Sequence, residues 1–596
     1  MTIPQPAVTW HLRLRLPPRC DEAIVLVAQD GGSTIELVPS AAGPRLRCRI
    51  ALEPPRNVIA RRRADGRPVM AAMETGVMTL EAPLVAARGT VDVLVRMRPE
   101  VIALHCDGAL MDEEWPFTDR RGIGEPRIVR SDLVERLTVA DDVAAPSVSV
   151  ADTARWLPDQ RPMGPFWRPP GENASAGDTM LCANGDELHL FWLADRRWHG
   201  SKWGVGAHQF DHAVTTDLLT WRRLPCAASI EEPWMTVGTG SCVHDGKRFH
   251  LFWHNHGERF GAREGVFVST SSDGERFGIE PGWNRQDVVQ PGVWREDGRW
   301  RLLSGMRLYE SGDLRDWRLA DERFIDATDG ISEECPCAFG DGYRDGSRQW
   351  LLTGRTGFWT WARGERPQQR HHDAPYDGLM VPMVAAWRGR LILAGWLHDD
   401  AATIGLPQVW GGTLMFRELM PRADGGFTMR WVPELVPDGA PWVEALATVT
   451  IAEGAHADVD LPDGPVHLRL RVQTTADLSL VLGGGADAIG GSEIRIEASR
   501  RRLLAARATN GVFSGQAAQP AFVGRDFALE GIDGLDQVRT IDVIVWPDRG
   551  GVVIDTQLDI GRTIACRHLG PWTGGARVAV RGGSARIAAE VRVLTR

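Results

Sequence analysis

The chain has 596 residues, 43% hydrophobic and 24% charged, with a formal net charge of −10 and 24 tryptophans against three tyrosines. That length and apolar content supply several packed cores. The acidic balance without any basic block gives no footprint for nucleic acid, and no run approaches the roughly 18 apolar residues of a membrane helix. The opening MTIPQPAVTWHLRLRLPPRC has no apolar core followed by a small-residue cleavage site, so a cytoplasmic protein is expected. The nine cysteines, at 20, 48, 106, 182, 226, 242, 335, 337 and 566, are odd in number and scattered, which reads as reduced thiols. No metal and no cofactor is expected.

From Trp10 to about Ala140 the hydrophobic signal has period two, as in His11-Leu12-Arg13-Leu14-Arg15-Leu16 and Val91-Asp92-Val93-Leu94-Val95-Arg96. Alternation over many short runs without a helical stripe predicts an antiparallel β-sandwich over 1–145. A Pro-, Ala- and Asp-rich linker over 146–165 follows.

The next segment, 166–436, repeats. A turn followed by an apolar run recurs with glycines at 185, 246, 298, 346 and 389, a spacing of 43 to 61 residues. A second echo, Thr216-Asp217-Leu218-Leu219-Thr220-Trp221, Ser271-Ser272-Asp273-Gly274 and Ser311-Gly312-Asp313-Leu314-Arg315-Asp316-Trp317, keeps phase with the first. Five such units predict five four-stranded blades of a β-propeller. His371-His372-Asp373 reads as an exposed loop between the fourth and fifth blades. Over 442–596 short alternating strands return, and Val466-His467-Leu468-Arg469-Leu470-Arg471-Val472 mirrors Trp10 to Leu16. A second sandwich of the first type is expected, giving an all-β chain: a five-bladed propeller flanked by two sandwiches.

Innermost propeller strands line the central channel, so polar residues at equivalent places converge near the axis. Asp178 lies seven residues before its turn glycine, Gln290 eight before, and Glu334 twelve before. Two carboxylates and an amide facing one cavity suit glycoside hydrolysis, in which one carboxylate attacks or activates water and the other protonates the leaving oxygen. Glu334 is expected partly buried near the second carboxylate. Trp167, Trp203, Trp234, Trp396 and Trp410 are candidate rings for a sugar face, and His208, His212, Thr239 and Asp287 are candidate hydroxyl binders. For the histidines, a structural hydrogen bond is the competing reading.

Over about 175–420 the residues resemble glycoside hydrolase family 32, the β-fructofuranosidases, in a clan with families 43 and 68. The likeness rests on His189-Leu190-Phe191-Trp192, His212 to Leu218 with Trp221, Gly240-Ser241-Cys242-Val243, Glu334-Cys335-Pro336, Leu393-Ala394-Gly395-Trp396, Trp410-Gly411-Gly412 and Arg417-Glu418-Leu419. The resemblance implies Glu334 as acid/base and Asp178 as nucleophile in a retaining double displacement. It is a divergent resemblance. Gly177-Asp178-Thr179-Met180 replaces the family's W-x-N-D-P-N-G, and Val289-Gln290-Pro291 replaces its R-D-P, leaving Gln290 where a transition-state-stabilising carboxylate is expected. A small-molecule or oligosaccharide substrate follows, with a homo-oligomer open. The alternatives are a family 43-like furanosidase, a fructosyltransferase, or a carbohydrate-binding propeller without turnover.

Overall fold

The computed structural model describes residues 7–40, 43–53, 76–84, 89–98, 102–114, 119–121, 123–141, 166–167, 174–196, 209–228, 237–255, 265–327, 333–340, 348–354, 357–370, 373–398, 411–485, 487–517, 526–548, 551–569 and 572–595. Among them, regular structure is β-strand apart from short 3-10 turns such as Pro433–Leu435. The chain is all-β.

Two five-stranded sheets open the chain. One runs Val134–Asp141, Val8–Arg15, Thr90–Met97, Ile102–Cys106, Ala109–Glu114. The other runs Val77–Pro83, Arg45–Ala51, Thr34–Val38, Ile24–Asp30, Ile123–Ile128. Side chains alternate across a pleated strand, so Val91, Val93, Val95 and Met97 turn inward. There they share one core with Leu37, Leu46 and Leu80 of the facing sheet. The C-terminal residues form two six-stranded sheets over another common core that includes Leu468, Leu470, Leu480 and Ile494. The likeness of the two ends extends to register: His11 pairs Leu94 and Arg13 pairs Asp92, while His467 pairs Ile544 and Arg469 pairs Asp542.

Between them lie five sheets whose first strands are Ala174–Asn184, Val237–His244, Gly292–Glu296, Cys337–Gly340 and Met380–Trp387. Each of these first strands contacts the next, and the fifth contacts the first. Each sheet is open, but the circuit of contacts closes. The closure is sewn twice. Phe166–Trp167, which precedes the first sheet, pairs with Gly412–Pro421 of the fifth, and Ala176 pairs with Gly412, merging the first and fifth sheets into nine strands.

The two sequence echoes have physical causes. Asp297-Gly298 and Arg388-Gly389 both have positive φ, as a two-residue hairpin turn requires. In the second echo Leu218, Gly274 and Leu314 share the left-handed conformation, and Asp217, Asp273 and Asp313 each accept hydrogen bonds from the backbone N–H groups that follow. These are Asx-type turns, in which a short carboxylate replaces the strand ladder as acceptor. One expectation fails. His371 and His372 lie outside the described residues, whereas Asp373, expected exposed, is buried and ion-paired with Arg562 and Arg422.

A histidine pair is buried between the first two sheets. His189 Nδ1 and His212 Nε2 are 2.9 Å apart. His212 stacks on Phe191 at 4.2 Å between centroids, and His189 lies 4.7 Å from Phe249 of the second sheet. Burial lowers both from the usual value near 6.5, His189 to about 4 and His212 well below 6.5. A folded-state value below the unfolded one means that the stabilisation is present above pH 6.5 and is lost as pH falls towards about 4. Chemical denaturation should therefore show the contribution of His189 alone falling by about 2 kcal/mol between pH 7 and 5. His212→Gln should be less stable at pH 7 yet show a flatter acid limb; an unchanged limb would place the proton uptake elsewhere.

Candidate active site

The first strands of the five central sheets all break their regular geometry at one level. In the first, the pairing skips from Gly177–Leu193 to Thr179–Trp192, so Asp178 is the extra residue of a β-bulge. In the second, it skips from Gly238–His254 to Gly240–Trp253, making Thr239 the extra residue. Gly240 permits this, since a Cβ there would fall 1.8 Å from the Phe252 carbonyl oxygen. In the remaining three the same level is held by Gln290, Cys335 and Val381, with φ of 45°, 52° and 47°. Each of the three is followed by a proline and lies two residues before the first registered pair or, in the fifth sheet, before its resumption at Met383. Left-handed backbone in a non-glycine residue before proline is strained, and strain of about 1–3 kcal/mol per residue persists only where the surroundings impose it.

These distortions aim side chains at neighbouring sheets. Asp178 is fully buried; one carboxylate oxygen accepts from the Thr239 hydroxyl, and the other accepts from the Trp396 indole N–H at 3.3 Å. These two donors are neutral and fix the orientation of the carboxylate. On the opposite part of the circuit the Cys335 thiol lies 3.8 Å from Gln290 Oε1, and a Cβ on Gly292 would meet the Pro336 carbonyl oxygen at 2.3 Å. Gln290 and the segment carrying Glu334 are therefore packed together. The residue equivalent to Asp178 by register is Cys335, with Glu334 one place earlier, which explains its loose spacing in the sequence. Glu334 is exposed rather than partly buried. Its carbonyl oxygen accepts from Gly354 N at 2.7 Å. At the following residues the five strands line a cavity of about 220 Å³ with Met180, Cys182, Ser241, Cys242, Cys337 and Met383.

Several expected binding residues are placed differently. His212 is packed between Phe191 and Phe277 and bonded to His189, so its role is in the core and not at a sugar. Asp287 is exposed, and Arg285 clasps its carboxylate at 2.7 Å and 2.5 Å. Trp396, with 2% of its surface accessible, offers Asp178 its N–H and no open face, and Thr239, wholly buried, likewise spends its hydroxyl on Asp178. Trp167 is core, 4.9 Å from Trp192. Trp203, His208, Trp234 and Trp410 lie outside the described residues. Sequence reading missed Cys335 and Val381; the signal was the recurrence of Gln290-Pro291, Cys335-Pro336 and Val381-Pro382 just ahead of three successive ladders. Among the described residues, no group of three or more His, Cys, Asp or Glu side chains is placed to hold a metal.

Residues 178–352 match the family model for the N-terminal domain of glycosyl hydrolases family 32. The chain is 26% identical over 313 residues to raffinose invertase of Escherichia coli, covering 45% of this chain and 64% of that protein. It is 27% identical over 184 residues to sucrose-6-phosphate hydrolase of Klebsiella pneumoniae, covering 27% and 38%. It thus spans less than two thirds of either relative's length. Among solved structures, fructan 1-exohydrolase IIa of Cichorium intybus superposes with a TM-score of 0.54 at 14% identity, over 73% of this chain and 98% of that one. A family 32 β-fructofuranosidase of Bombyx mori gives 0.52 at 15%, over 75% and 97%. At such identities the structural likeness speaks to the fold. Asp178 and Glu334 both lie within the stretch that matches the family model, and over that stretch the chain is similar to glycosyl hydrolase family 32.

Proposed function

We propose that the chain is a retaining glycoside hydrolase of furanosides, acting on a β-fructofuranosidic bond at the level where the five central first strands are distorted. The architecture proposed for it is a five-bladed β-propeller over 166–436, reached by a linker over 146–165 and flanked by sandwiches over 1–145 and 442–596. The observation that carries the reading is Asp178, a buried carboxylate oriented by Thr239 and Trp396 at the same level as Gln290 and one register place from Glu334.

In this reading Asp178 attacks the anomeric carbon while Glu334 gives its proton to the departing glycosidic oxygen. Glu334 then takes a proton from the water that releases the sugar from the resulting ester. Gln290 holds sugar hydroxyls through an amide that donates and accepts, but it brings no negative charge to an oxocarbenium-like transition state. An oligosaccharide substrate is supported by two related structures, a Bombyx mori β-fructofuranosidase variant solved with sucrose and a Cichorium intybus fructan 1-exohydrolase IIa variant solved with 1-kestose. A second reading, carbohydrate binding without turnover, is favoured by the amide at position 290 and the complete burial of Asp178.

Asp178→Asn and Glu334→Gln should each lower kcat on sucrose or 1-kestose by about 10³-fold or more. Peptide mass spectrometry after incubation with a fluorinated fructofuranoside should find the sugar esterified to Asp178. Binding of these sugars by the native protein with no product, measured by calorimetry and chromatography, would establish the second reading instead. Because a left-handed residue tolerates Asp better than most side chains, Gln290→Asp should fold and raise kcat/KM on fructosides about tenfold; a decrease would show that this site uses the amide itself.

A further inference from the structure

The segment from Asp377 to Val381 is a strap with a different partner at each end. At its start, Asp377 is 1% exposed, and its Oδ2 accepts from Arg417 Nε at 2.7 Å and from the Thr563 hydroxyl at 2.9 Å. The Asp377 carbonyl oxygen accepts from Ala565 N at 2.8 Å. Arg417, itself fully buried, turns its other nitrogens onto Asp555 at 2.8 Å and 3.1 Å. Thr563, Ala565 and Asp555 belong to the C-terminal sheets. Gly378, with φ of 96°, fits beneath them because a Cβ would meet Phe527 Cζ at 2.3 Å and the Ala565 carbonyl oxygen at 2.5 Å.

At its far end the strap reaches the candidate active site through two consecutive backbone bonds. Val381 N donates to Gly354 O at 2.8 Å, and Gly354 N donates to Glu334 O at 2.7 Å. A Cβ on Gly354 would stand 3.3 Å from that same Glu334 oxygen, so the approach is close and direct. Just ahead of the strap, the Tyr376 hydroxyl accepts from Thr353 N at 3.1 Å and lies 2.7 Å from Gly357 O, fixing the turn that carries Gly354.

We propose that Asp377 is a positioning residue for catalysis: held by Arg417 and Thr563, it transmits the placement of the C-terminal sheet through Val381 and Gly354 to Glu334. The inference rests on Glu334 being the acid/base. The C-terminal sheet is then part of the working enzyme. A single carboxylate, some distance along the chain from any substrate, sets how well a proton is delivered. Misplacing a catalytic group by about 1 Å costs about 10²-fold, and only reactions that need the proton are sensitive to it.

The test compares leaving groups in the full chain. Asp377→Asn should lower kcat about 30-fold on a fructoside with an alkyl-alcohol leaving group, with KM changed less than about threefold. The first-turnover release of nitrophenolate from p-nitrophenyl β-D-fructofuranoside, which needs little protonation, should fall less than about threefold. Asp377→Glu should recover part of the loss. Thr563→Val, a milder change to the same carboxylate oxygen, should show the same bias at about threefold and covers the case in which Asp377→Asn fails to fold. Equal losses on both leaving groups, or a lowered Tm with unchanged kcat, would overturn the proposal. Glu334→Gln serves as reference: if it too shows no leaving-group bias, the assignment of Glu334 fails, whereas a bias in Glu334→Gln but not in Asp377→Asn or Thr563→Val rejects the strap alone.

Discussion

A Cβ on Gly292 would lie 2.3 Å from the Pro336 carbonyl oxygen, and one on Gly240 would lie 1.8 Å from that of Phe252. The first approach follows from bringing the first strands of different sheets into one circuit of contact, and the second lies within one sheet, at its bulge. Five twisted sheets cannot all keep an ideal ladder where they converge, and the ladder yields at one level, by a bulge at Asp178 and Thr239 and by left-handed residues at Gln290, Cys335 and Val381. The same distortions turn side chains out of their own sheet and towards the neighbouring one. The candidate site is therefore located by the packing constraint before any chemistry is considered.

That explains which parts were legible in the sequence. Turn glycines and Asx aspartates act locally, so their spacing revealed five sheets. Period-two runs revealed the flanking sheets, and the paired motifs at His11-Arg13 and His467-Arg469 revealed that the two ends share a register. Counting from turn glycines could not reveal a bulge, which adds a residue without leaving a compositional mark, so Glu334 looked misaligned with Asp178. His212 was legible as a polar residue in an apolar strand, but whether it faces a cavity or a neighbouring phenylalanine depends on the second sheet. Asp373 read as a loop acid because its cationic partner, Arg562, lies 189 residues away.

The shared register of the two flanking units is put to different uses. In the N-terminal one, His11 and Asp92 remain near 40% exposed. In the C-terminal one the matching face is buried: His467 is wedged against Trp431 and Trp442, and Ile544 and Trp546 join a core with Phe166, Leu391 and Met415 of the central sheets. This apolar wall supplies the attraction between the units, since burial of carbon is favourable in proportion to area. Arg417, with Asp377 and Asp555, lies inside the same interface. A buried ion cluster of this kind adds little net stability because desolvation offsets the Coulombic gain. What it contributes is direction: Asp377 accepts from Arg417 and Thr563, and Arg417 gives two more hydrogen bonds to Asp555.

The cluster also sets how acidity acts on the molecule. Two carboxylates share one guanidinium, and burial, helped by Asp377, raises Asp555 to about 6 against the opposing pull of Arg417. A folded-state value above the unfolded one stabilises on the acid side and loses that contribution as pH rises through about 6. The His189–His212 pair works in the opposite sense, losing its contribution as pH falls below 6.5. One group sits between the first two sheets and the other where the fifth meets the C-terminal sheet. Their contributions to stability therefore change with pH in opposite directions on the acid side of neutrality.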